Sequence, residues 1–166
     1  MAYETGAWQN FFVMTGGAAA ALTGLLFVAM SLHAKAIMAN RFFIGRAVGT
    51  LMSLASQLLL SGAVLLPGQP LWLLGAEVEA AALFFLFWLI RQIVTSEQNA
   101  PPVAATLTHK IMERGGGSAW IVLFNAAGLS LLFRYGGGLY LLAVVMFFMF
   151  AWNIYIAWVL ITEVSE

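Results

Sequence analysis

The sequence predicts an all-α fold, an integral membrane helical bundle with five transmembrane helices. Of its 166 residues 63% are hydrophobic and only 8% charged, where a soluble domain has roughly 25% charged residues. Mean hydropathy is +0.94. The apolar residues are gathered into five runs, at about 8 to 32, 42 to 66, 71 to 94, 119 to 134 and 139 to 162. A helix needs about 20 such residues to cross a hydrocarbon core of about 30 Å. Together the runs fill most of residues 1–166, so the chain reads as a single transmembrane domain.

The opening MAYETGAWQN lacks the positive charge of a cleavable signal, and the run behind it is too long for one, so it reads as a retained first helix. Lys35 and Arg41 lie between runs one and two, and Arg91, Lys110 and Arg114 around the connection between three and four. Arg46 is nearest that same side and Arg134 alone lies opposite. Basic residues accumulate on the cytoplasmic side, which predicts an outer N-terminus and a cytoplasmic C-terminus. Trp8, Trp72, Tyr135 and Tyr140 then mark the outer interface, and Trp120 and Trp158 the inner one.

The other connections are short, but residues 95–118 read TSEQNAPPVAATLTHKIMERGGGS. A proline pair suits a helix start and a triple glycine its end. Val103, Leu107 and Ile111 recur every four residues between them, which suits a short interfacial helix over 101–113 or a partly ordered loop.

Span two places Gly45, Gly49, Ser53, Gln57 and Ser61 at intervals of four, and span one places Gly16, Ala20 and Gly24 likewise. Small residues so spaced let helix backbones approach closely. Both stripes suit ordinary helix packing; the alternative is that Ser53, Gln57 and Ser61 line a wet path.

Span three carries Glu77 and Glu79 inside LWLLGAEVEAAALFFLFWLI. An acidic residue at mid-helix costs about 2.5 to 3.5 kcal/mol in a membrane, so something must offset each one. Two positions turn a helix by about 200°, so the two carboxylates face different ways. Glu79 follows Gly75 by four and precedes Ala82 by three, on a small-residue face suited to inward packing. Gln57 falls near the same depth, and Arg134 is long enough to reach toward Glu77. These form a candidate outer layer for a cation or proton, while Asn125, Asn153 and Arg46 form a candidate inner one. About 12 Å or more along the normal separates Arg46 from the glutamates, which argues against a direct pair.

Other chemistries find no residues. Cysteine and aspartate are absent, and His33 and His109 both belong in or beside connections, so no metal site, cofactor or nucleophile-and-base set is expected. GGAAAALTG lacks the lysine of a phosphate loop. Zero net charge argues against nucleic acid as a partner.

The segments WQNFFVMTGGAAAALTGLLFVAMSLHAKAI and LLLSGAVLLPGQPLWLLGAE carry W-x-x-F-F, G-x-x-x-A-L-x-G-L-L-F-V-A and L-x-P-G-Q patterns. In these the first half of the chain resembles a group of small bacterial multi-pass membrane proteins, some labelled modulators of the FtsH protease. The resemblance implies a bacterial inner (plasma) membrane and assigns no catalytic residue. Two functions are then expected. One is a non-enzymatic channel or transporter-like protein, with a cation or proton site at Glu79, Glu77 and Gln57. The other is an accessory or modulatory subunit that docks a membrane protein. Lipids, and either further copies of the chain or a partner protein, are the expected partners.

Overall fold

A computed structural model describes residues 2–96 and 107–165, and the described residues are helical throughout apart from short connections. A 3-10 turn, Thr5–Trp8, leads into α1 (Gln9–Leu32), which is followed by α2 (Ala34–Ala39), α3 (Arg41–Leu65), α4 (Leu71–Ser96), α5 (Leu107–Phe133) and α6 (Leu139–Ser165). Among the described residues, four stretches are long and apolar enough to cross a membrane: Thr5–Leu32, Arg41–Leu65, Leu71–Arg91 and Leu139–Thr162. In α5 the apolar part is the shorter Trp120–Phe133.

Local chemistry sets most boundaries. Asn40, in extended conformation, caps α3 by accepting the amide of Phe42 at 2.9 Å. Leu66 is forced toward extended backbone by Pro67 and ends that helix. Gly68 then takes φ +73 to reverse the chain, and the Pro70 carbonyl receives the first amides of α4. α5 closes in a Schellman motif: the Tyr135 amide returns to the Ser130 carbonyl at 3.1 Å, and Arg134 takes the left-handed position at φ 53.

The start of α5 departs from the sequence reading. Gly115, Gly116 and Gly117 do not stop a helix; α5 runs through all three. Each glycine costs about 1 kcal/mol against alanine, a weak local preference that the continuous helix Leu107–Phe133 overrides. Residues 107–113 are therefore the first turns of α5 and not a separate interfacial helix, while 101–106 lie outside the described residues.

The helices pack chiefly as two pairs, α1 on α3 and α4 on α5, with α6 against both α5 and α3. The main core lies among α3, α4, α5 and α6, where Leu60, Val78, Phe85, Phe124, Leu131, Leu142 and Met146 are buried. Trp120 belongs to this core and not to an interfacial belt: it is buried, with its ring 5.3 Å from that of Phe85. At the other end of the bundle the Ala2 carbonyl accepts the Leu139 amide at 3.0 Å, and the Tyr3 hydroxyl accepts the Gly137 amide at 3.2 Å. Trp8 meets Tyr140 edge to face at 4.6 Å.

Candidate functional site

The inner face of α3 is polar along most of its length. Arg46, Thr50, Ser53, Gln57 and Ser61 are all buried, and at 1.5 Å per residue they extend over about 22 Å, most of a hydrocarbon core. Neighbouring helices supply partners at two levels. Asn153 of α6, itself buried, donates from Nδ2 to Ser53 Oγ at 2.9 Å. Thr15 of α1 shares a hydrogen bond with Ser61 Oγ at 3.3 Å, and Gly16 beside it lets the helices close: a Cβ there would stand 2.9 Å from that of Ser61. Gln57 lies between these levels, 1% exposed, and among the described residues neither its Nε2 nor its Oε1 has a hydrogen-bond partner. A buried amide left unbonded costs about 1 to 3 kcal/mol per group.

The glutamates separate, as their two-residue spacing requires. Glu79 faces α5, where Gly128 makes room for it: a Cβ at residue 128 would fall on Glu79 Oε2 and 3.0 Å from its Cα and amide nitrogen. That Oε2 is buried and without a hydrogen-bond partner among the described residues. Gly75, one turn earlier, packs on the α5 backbone, its would-be Cβ 2.7 Å from the Leu132 amide nitrogen. Glu77 turns instead toward α3. Its Oε2 accepts Gln69 Nε2 at 2.7 Å, and it lines an open groove of about 300 Å³ with Ser56, Leu59, Leu60, Ala63 and Ala81.

The remaining candidate residues are dispersed. Arg134 is exposed in the α5–α6 turn, while Glu77 takes its hydrogen bond from Gln69. Asn125 donates to its own helix at the Ile121 carbonyl, 2.8 Å away, whereas Asn153 binds Ser53. Arg46 holds its guanidinium over the Phe42 ring, 5.3 Å from the centroid. On α1 the expected small-residue stripe narrows to Gly16, because Ala20 is exposed and the space at Gly24 is open. The face of α1 that packs carries Phe12, Thr15, Gly16, Ala19 and Leu26. Gly45 and Gly49 are half-buried, two turns and one turn before Ser53 respectively.

Sequence reasoning missed four contributors: Thr15, Thr50, Gln69 and Gly128. Thr15 and Thr50 stand beside or on the stripes already recognised, at helical spacing from Ala19 and from Arg46. Gly128 had one signal, a lone glycine in the apolar run FNAAGLSLLF. No protein-family model matches this chain, and neither a curated protein nor a solved structure matches it.

Proposed function

We propose that this protein is a small, non-enzymatic channel or transporter-like protein of a bacterial inner membrane, handling a proton or small cation. In this reading α5 is a fifth span, and the chain enters from outside and ends in the cytoplasm. Gln57 carries the proposal. An amide whose donor and acceptor both lack partners among the described residues, between Ser53 and Ser61, offers both kinds of hydrogen bond to a passing water or hydrated ion. Thr15, Ser61, Asn153 and Thr50 continue the polar seam on either side of it. Glu79 supplies a carboxyl that can bind a proton or cation, wedged on Gly128 with one oxygen unbonded among the described residues. The test is flux of protons and monovalent cations into liposomes carrying the purified protein. Wild type should conduct, and Glu79→Gln and Gln57→Leu should each reduce flux at least tenfold. No wild-type flux, or full flux in both variants, refutes the proposal.

A second reading, a modulatory subunit docked on a larger membrane protein, is favoured by the groove at Glu77, where a carboxylate and small residues lie open on the outside of the bundle. It predicts a partner that co-purifies from the native membrane and is lost when Ala63 and Ala81 become leucine.

A further inference from the structure

We infer that the groove between α3 and α4 receives the outer end of α5 from a second copy of this chain, with Arg134 of one copy set against Glu77 of the other. The inference is independent of whether the protein conducts. It begins with the charge. Glu77 has one neutral donor, Gln69, on one oxygen, and no ion pair among the described residues. A carboxylate so placed on the lipid-facing side of a bundle calls for a cation. Ser56, Ala63 and Ala81 along the same groove are small enough to let another element come close.

The chain carries a matching cation. Arg134 stands exposed at the end of α5 in the left-handed position where glycine is the usual residue, between Phe133 and Tyr135, which are 76% and 84% exposed. An arginine flanked by aromatic side chains is the composition of a binding hot spot.

The levels also agree. Gly75 lies against Leu131 and Leu132, and Glu79 against Gly128, which fixes the antiparallel register of α4 and α5. Glu77 is thereby level with Leu129 and Ser130, and Arg134 begins about 7 Å nearer the outer surface. An arginine side chain spans that distance. Within one chain the two do not meet, because Glu77 is turned toward α3 and away from α5. Copies inserted the same way keep both groups at these levels, so a neighbour approaching through the lipid can bring its Arg134 to the groove.

The experiment is a charge reversal read by subunit counting, using single-molecule photobleaching of labelled protein in bilayers of fixed lipid composition. Wild type should associate. Glu77→Arg and Arg134→Glu should each weaken association at least tenfold, and the chain carrying both reversals should recover it. A monomeric wild type overturns the inference, as do single variants that associate normally or a double variant no better than either. Should Glu77→Arg fail to fold, Glu77→Gln and Arg134→Gln replace the reversals. Each alone and both together must then weaken association equally, and additive losses overturn the inference.

Discussion

Glu79 and Gly128 share a single packing position between α4 and α5: the carboxylate occupies the place a side chain at residue 128 would take. Gly128→Ala must therefore push on Glu79 Oε2 and on its backbone. The expected loss is about 1 to 3 kcal/mol, the usual effect of overpacking a filled contact. Unfolding in one detergent, followed by circular dichroism, measures it. Gly24→Ala is the comparison, since nothing lies within 4 Å of the added methyl; it should be neutral or stabilise by up to about 1 kcal/mol. Equal losses in both would contradict the packing described.

Gln57 offers the opposite test. With both amide atoms buried and unbonded to the described residues, Gln57→Met removes two polar groups while keeping length and volume. Stability should hold or rise by about 1 kcal/mol, even as any flux falls. A loss of 2 kcal/mol or more by about that measure would mean that Gln57 is structural glue.

Ser53 and Asn153 should couple. In a double-mutant cycle of Ser53→Ala and Asn153→Ala, the interaction across α3 and α6 should be about 0.6 kcal/mol and no more than about 1.7, the range found between membrane helices. A coupling indistinguishable from zero would deny the 2.9 Å bond.

The α5–α6 turn at Gly136–Gly138 makes a graded prediction. Gly138 has φ +37, and a Cβ there would lie 2.5 Å from the Tyr3 ring. Gly138→Ala should destabilise strongly, whereas Tyr3→Phe keeps the ring and loses only the acceptor for the Gly137 amide, about 0.5 to 1.5 kcal/mol. Hydrogen exchange at Gly137 and Leu139 reads both: exchange at Gly137 should quicken in Tyr3→Phe and at both amides in Gly138→Ala.

Much of the fold could be read from apolar runs and their punctuation. The bounds of α3, α4 and α6 follow Asn40, Pro67 and Pro70, and the glycines before Leu139, because capping and backbone restriction act within a few residues. The start of α5 could not be read so, since the penalty at Gly115–Gly117 is a weak local preference that the continuous helix Leu107–Phe133 overrides. The divergence of Glu77 and Glu79 followed from helical periodicity alone. Which neighbour each would meet did not, because Gly128 and Gln69 become partners through register between helices, and a single sequence does not state that register.

The lock between the first residues and the α5–α6 turn bears on how the chain is made. Tyr3 and Gly137 are separated by 134 positions, so at elongation of about 5 to 20 residues per second Tyr3 waits roughly 7 to 27 s for this partner. Throughout that interval Trp8 and Phe11 are without Tyr140 and Phe147. α1 can thus pack on α3 well before Ala2 and Tyr3 find the α5–α6 turn, and that lock closes only once the start of α6 has been made.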